Sequence, residues 1–404
     1  MLTRTFERTQ LPAWVAQRLR DRNLVSAGFF PKQARLLANA CREMSDRFLS
    51  GGRLLAFGNG PYVTDAQHVS VEFVHPVIVG KRALPALDLS IAYRPWIDAL
   101  LQPEDIVMGF GPPEGDQDVL EVLDNARARG AMTLALPAGR DVPLAGAADY
   151  AVQAPSSDPF IHQEMIEILY HTLWETVHVF FEHRELGHDV GASSFLYPYL
   201  GQEHQDLAPI VEQVASSIVM KSQDDELLRE EVAGTQAAII SAAAIAIESE
   251  LAAGGKLIIF GNGGSATDAN DWALDCIAAP DGAPAIPAVS LSLEPANITA
   301  IANDVGPEVI FLRQFIAQAR PHDVAVAIST SGGSKNIVAA LEEARKRKLK
   351  VVALLGYDGG EVVRRSLADF PIVVHCDYIP RIQEVQASIY HIIREGIGRM
   401  QRHA

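Results

Sequence analysis

A chain of 404 residues, 48% hydrophobic and 21% charged, holds enough apolar material for two buried cores. Its formal charge of −16 sets it against nucleic acid and anionic membrane surfaces, both of which would repel it. No apolar run approaches the roughly 18 residues a membrane helix needs, and the opening Met1-Leu2-Thr3-Arg4-Thr5-Phe6-Glu7 lacks the apolar core of a signal peptide. Cys41, Cys276 and Cys376 are odd in number and far apart. They read as small buried hydrophobes in a reducing compartment, so a cytoplasmic location is expected.

In chain order, helical patterning over Lys32–Leu49 precedes short apolar runs at Leu54–Phe57, Ile106–Met108, Met132–Leu136 and Tyr150–Val152. A helix near Gln163–Glu182 closes this half. Glu212–Ala253 then opens a second series, with runs at Leu257–Phe260, Val324–Ile328, Val351–Leu355 and Ile372–Val374 and a last helix near Gln383–Arg402. Helical stretches such as Asp118–Arg129 and Asn336–Lys348 separate the strands. Strands alternating with helices of that length predict α/β, doubly wound parallel sheets covered on both faces. The segment Leu186–Gln205 carries Gly, Ser, Tyr and Pro without clear periodicity, so the domains are expected at 1–198 and 199–404.

The two series are copies of one domain. Gly51-Gly52-Arg53-Leu54-Leu55-Ala56-Phe57-Gly58-Asn59-Gly60 recurs as Gly254-Gly255-Lys256-Leu257-Ile258-Ile259-Phe260-Gly261-Asn262-Gly263. Asp65-Ala66 returns as Asp268-Ala269, and Gln163-Glu164 as Gln383-Glu384. A period near two hundred residues is too long for a solenoid and fits a tandem domain.

In the second copy, Val324–Ile328 leads into Ser329-Thr330-Ser331-Gly332-Gly333-Ser334 and then a helix. Hydroxyls, flexible glycine N–H groups and a helix N-terminus together suit an anion. The turn Gly261-Asn262-Gly263-Gly264-Ser265 follows an earlier strand and is expected on the same carboxyl edge, where open α/β sheets bind ligands. Neither a Gly-x-x-x-x-Gly-Lys-Ser/Thr loop nor a Gly-x-Gly-x-x-Gly after a first strand occurs, so no nucleotide cofactor is expected.

Gly261–Ser265 with Asp268-Ala269, Ile301-Ala302-Asn303-Asp304, Ser329–Ser334 and Arg381-Ile382-Gln383-Glu384 resembles the sugar isomerase (SIS) domain, and within it phosphoheptose isomerase. The resemblance runs through nearly all of the second half and more faintly through the first. It implies tandem SIS domains, each a five-stranded parallel sheet of flavodoxin-like order. It also implies aldose–ketose isomerisation of a sugar phosphate such as sedoheptulose 7-phosphate, and sites built at subunit interfaces. The matching sugar-phosphate positions are Asn262, Gly263, Gly264, Ser265, Glu294, Ser329, Thr330, Ser331, Gly332, Ser334 and Gln383. A homodimer would supply the four domains of the family's tetramers.

His68 and Glu72 stand four apart on one predicted helix face, and Gln163 and His171 share a side of another. By resemblance His68, Glu72, Gln163 and His171 bind a divalent metal, often Zn2+, and Glu72 and His171 also exchange the proton. Isomerisation through an enediol needs such groups: a base takes a proton beside a carbonyl, and a metal or imidazole steadies the developing oxyanion.

The copies have diverged. Asp271 stands in place of His68 and Asp275 in place of Glu72, while Gln383 and His391 persist, so the second half is expected to hold metal poorly. In the first half the turn reads Gly58-Asn59-Gly60-Pro61-Tyr62, where proline removes an N–H and tyrosine replaces serine. Its other loop, Gly109-Phe110-Gly111-Pro112-Pro113-Glu114-Gly115, offers no hydroxyl and adds a negative charge. Three readings stand open. One is an isomerase whose site is shared between the halves. A second is a non-catalytic sugar-phosphate sensor or scaffold. The third is an isomerase confined to the second half, using Asp275 or Glu294 with His391.

Overall fold

The computed structural model describes residues 8–78, 81–138, 146, 148–185, 207–280 and 282–402. It divides into two compact units, residues 25–223 and residues 1–24 with 224–404. The divisions therefore fall inside two long helices, α1 (Leu11–Leu49) and α6 (Leu207–Thr235), and not at residue 198, which lies with the rest of 186–206 outside the described residues. The physical reason is burial along α1. Leu11, Val15 and Leu19 belong to an apolar cluster of the second unit, whereas Phe29, Phe30, Leu37 and Met44 belong to one of the first. Helical periodicity alone does not say which core a given turn serves.

In residues 25–223 the elements are β1 (Leu54–Gly58), α2 (Val63–Val74), β2 (Ala86–Asp88), α3 (Tyr93–Leu100), β3 (Ile106–Phe110), α4 (Gln117–Ala128), β4 (Met132–Leu136), β5 (Tyr150–Ala151) and α5 (Pro159–Glu185). The other unit contains α7 (Ala237–Ala252), β6 (Leu257–Gly261), α8 (Gly264–Ile277), β7 (Ala288–Ser290), α9 (Pro295–Asp304), α10 (Ile310–Gln318) and β8 (Val324–Ser329). It continues with α11 (Lys335–Lys346), β9 (Lys350–Gly356), α12 (Gly360–Arg364), β10 (Phe370–Val374) and α13 (Ile379–Gln401).

Each sheet has five parallel strands, in the order β2-β1-β3-β4-β5 and β7-β6-β8-β9-β10, the flavodoxin-like arrangement. Strand alternation fills both faces. Leu54 and Ala56 enter one buried cluster and Leu55 and Phe57 the opposite one. In the second unit Leu257 and Ile259 oppose Ile258 and Phe260 in the same way. Strands β1, β3, β4, β6 and β8 are fully buried, which is why they read as continuous apolar runs.

Repeated polar latches fix matching strand starts. Asp105 accepts the Arg53 backbone N–H at 2.9 Å and its guanidinium at 2.8 Å. Asp323 accepts the Lys256 N–H at 3.0 Å and its ammonium at 2.5 Å. Two predicted helices differ in extent. α1 runs through Pro31, the costly break in one backbone hydrogen bond being tolerated, and Glu212–Ala253 is two helices separated at Gln236, just after Gly234 and Thr235. Trp174 and Trp272 are buried, whereas Trp96 is 49% exposed. Cys41 and Cys276 are buried and Cys376 partly so. Among the described residues no single helix is long and apolar enough to cross a membrane.

Candidate functional site

In the unit containing residues 224–404, two loops leave the carboxyl ends of adjacent strands. After β6, Gly261-Asn262-Gly263 turns directly into α8, with Gly263 at φ 58°, a left-handed position that favours glycine. After β8, Ser329–Ser334 leads into α11. Gly332 has φ 59°, and a Cβ there would stand 2.2 Å from the Gly359 carbonyl oxygen, so the close approach of backbone to backbone requires glycine.

Ser329 Oγ accepts the Gly332 N–H at 3.1 Å and Ser331 Oγ the Gly333 N–H at 3.3 Å. Ser331 is exposed, and Ser334 heads α11 without a side-chain cap bond. Asn262 and Asn336 exchange amide hydrogen bonds at 3.0 and 2.9 Å, linking the two loops. Ser265 is buried in the first turn of α8, and Gln383 is buried near the start of α13. Glu294 is exposed and caps α9 by accepting the Ala296 N–H at 3.2 Å.

The corresponding loops of residues 25–223 are arranged differently. Gly60-Pro61-Tyr62 forms a short 3₁₀ turn, and Tyr62 is buried. The sequence points to Glu114 as the negative charge of the β3–α4 loop, and Glu114 is exposed. Asp116 caps α4 instead, its Oδ1 accepting Asp118 N–H at 2.8 Å and Val119 N–H at 3.2 Å. Asn59, the counterpart of Asn262, donates to Asp116 Oδ2 at 2.9 Å and to the Tyr93 hydroxyl at 3.2 Å.

Both units carry a buried carboxylate–imidazole cluster between equivalent helices. On α2 and α5, His68, Glu72 and His171 place ligand atoms all within 4.8 Å of one another. His171 Nε2 lies 3.2 Å from His68 Nε2, and His68 Nε2 lies 3.8 Å from Glu72 Oε1. Gln163 turns its amide nitrogen to Thr64 at 3.3 Å and Asp65 at 3.4 Å. Two imidazoles and a carboxylate, gathered this closely and buried, are a donor set that fits a divalent cation such as zinc.

On α8 and α13, Asp271, Asp275 and His391 form a second such group, also within 4.8 Å. His391 Nε2 stands 3.0 Å from Asp275 and 3.4 Å from Asp271, and the Tyr390 hydroxyl donates to Asp271 at 2.7 Å. Burial, then the negative charge of Asp271, pushes the Asp275 carboxyl up to about 7, against the opposing pull of His391. Arg394 holds the two helices in register by donating to the Asp275 carbonyl at 3.0 Å. The sequence identified Asp275 and His391 as candidates but gave Asp271 no role. Its position four residues before Asp275 on one helix face was the available signal.

Beside Gln383, Arg381 pairs with Asp225 at 3.2 Å and with Glu384, and all three are buried. Burial, reinforced by Glu384, pushes the Asp225 carboxyl well up, while Arg381 opposes the shift. This network was not legible in the sequence, because Asp225 comes from α6, far from the motif it supports.

Comparison with known proteins agrees with the fold. Residues 224–356 match the SIS domain family model. Phosphoheptose isomerase of a Geobacter species is 42% identical over 163 residues, covering 40% of this chain and 83% of that protein. The enzyme of the same name from Chlorobaculum parvum is 40% identical over 181 residues, covering 44% of this chain and 86% of its own length. The C-terminal domain of glucosamine-fructose-6-phosphate aminotransferase from Francisella tularensis has the same fold across 96% of both chains, with TM-score 0.58 and 10% identity. This chain belongs to the SIS-domain family.

Proposed function

We propose that the chain is a phosphosugar aldose–ketose isomerase, acting on sedoheptulose 7-phosphate or a close relative through an enediol. The observation that carries this reading is that one unit contains both an open, hydroxyl-lined loop at a helix N-terminus and a buried Asp275–His391 couple 3.0 Å apart, its carboxyl pushed up by burial. The identity to phosphoheptose isomerases supports the same substrate class.

In this reading the N–H groups of Gly332 and Gly333, with the hydroxyls of Ser329, Thr330, Ser331 and Ser334, hold the phosphate. Asn262, Gly263, Gly264, Ser265, Gln383 and Glu294 complete the sugar pocket. Ionised Asp275 removes the proton beside the carbonyl, and His391 supplies and withdraws a proton at the oxygen. The protonated carboxyl then returns its proton to the neighbouring carbon. A base titrating near the working pH is well matched to this exchange. His68, Glu72, His171 and Gln163 would hold a divalent metal in residues 25–223, and zinc bound there would act as a Lewis acid. We also propose a homodimer, giving four SIS domains.

The test is turnover of sedoheptulose 7-phosphate by the purified full chain, with Asp275→Asn and Glu72→Gln compared. Loss of turnover in Asp275→Asn with tight binding retained is expected. If Glu72→Gln alone abolishes turnover, the proton passes through Glu72 and His171. Tight binding without turnover in the unaltered chain would make it a sensor.

A further inference from the structure

We propose that Asp116 is the residue that keeps phosphorylated ligands out of residues 25–223, its own carboxylate filling the place at α4 that a ligand phosphate takes at α11. The inference rests on the reading of Ser329–Ser334 as a phosphate cradle.

The two loops are equivalent: each leaves the central strand paired with the first strand of its unit, β3 beside β1 and β8 beside β6, and each opens the helix that follows. At the helix cap the second unit has Ser334, a small hydroxyl that makes no side-chain cap bond. The first has Asp116, whose carboxylate takes two α4 N–H donors and the Asn59 amide. Three donors converging on a negative group are the partners an external anion would otherwise recruit.

The tie to Asn59 separates this arrangement from an ordinary aspartate cap. In the second unit Asn262 is bound to Asn336, a neutral amide beyond the cap, and no carboxylate is drawn in. In the first unit the same asparagine is committed to the Asp116 carboxylate. A phosphate approaching α4 would have to displace a tethered anion and then face the like charges of Glu114 and Asp118. Pro61, without an N–H, and buried Tyr62 remove further donors but do not fill the donors that remain.

The experiment uses the full chain with Ser331→Ala, so that the second unit's cradle is weakened, and titrates inorganic phosphate by calorimetry. Adding Asp116→Ser should raise phosphate affinity about tenfold or more, the worth of freeing charge-assisted hydrogen bonds. Asp116→Asn keeps a capping side chain while removing the charge, so it guards against a folding defect and should give a smaller gain. Thermal melting checks that both variants fold. If neither gains affinity over the Ser331→Ala parent, the proposal is overturned. If Ser331→Ala itself leaves phosphate binding intact, the cradle reading fails and takes the premise of this inference with it, whereas weakened binding in that parent with no gain at position 116 overturns this inference alone.

Discussion

The β1–α2 and β3–α4 loops of residues 25–223 and the β6–α8 and β8–α11 loops of residues 224–404 leave equivalent strands, and β1–α2 and β6–α8 share a leading Gly-Asn-Gly. One pair is closed by Tyr62 and Asp116, whereas the other exposes Ser331 and leaves Ser334 without a side-chain bond. Their buried clusters diverged in the opposite sense, two imidazoles and a carboxylate against two carboxylates and an imidazole. The difference teaches that a duplicated scaffold keeps its core and helix register while a few side chains at strand and helix ends change the charge and the hydrogen-bonding groups that each copy presents.

The sharpest break in the comparison comes from catalysis. Asp275→Asn should lower kcat for sedoheptulose 7-phosphate by about a hundredfold or more, the usual scale for losing a general base. Glu72→Gln should act mainly through metal content, and equal losses of kcat in both variants at full metal occupancy would erase the distinction between the clusters.

Where the copies are structurally equivalent they should fail alike. Phe57→Ala and Phe260→Ala each empty a fully buried strand position and should each destabilise their unit by about 3–5 kcal/mol, read by denaturant unfolding. A cost confined to one of them would show that the cores are less alike than their registers.

Metal analysis sharpens the contrast between clusters. His68→Ala should remove about one equivalent of bound zinc per chain, since it takes one imidazole from a three-ligand group. An unchanged zinc content would move the metal away from α2 and α5.

The smallest effect is in pH dependence. In metal-stripped protein the folded-state value of Asp275, about 7, lies above its ordinary value of 3.8. The folded chain therefore holds that proton over the interval where the unfolded chain has released it. The resulting stabilisation of the protonated form is present at low pH and is lost as pH rises from about 4 to about 7. Asp275→Asn should remove this decline, gaining a few degrees of melting temperature relative to the unaltered chain between about pH 5 and pH 8. Parallel pH profiles for the two proteins would contradict the shift.

Much of this was written locally. Fully buried strands announce themselves as apolar runs, so β1, β3, β4 and β6 emerge from the sequence nearly to the residue, and the i,i+4 spacing puts His68 with Glu72 and Asp271 with Asp275. The three-residue strands β2 and β7 follow prolines and are too short to show a period. Asp116 was missed because choosing between it and Glu114 depends on the path of the loop, which composition does not encode. Trp96 is half exposed because amphipathic α3 turns only Ile97 fully inward.

The central claim is that phosphosugar binding belongs to residues 224–404, anchored by the Ser329–Ser334 loop, and not to residues 25–223. Its most direct test is calorimetric titration of the full chain with sedoheptulose 7-phosphate, with and without Ser331→Ala. One equivalent per chain, weakened roughly tenfold to a hundredfold by the substitution, is the predicted result. Two equivalents per chain, or affinity untouched by Ser331→Ala, would contradict it.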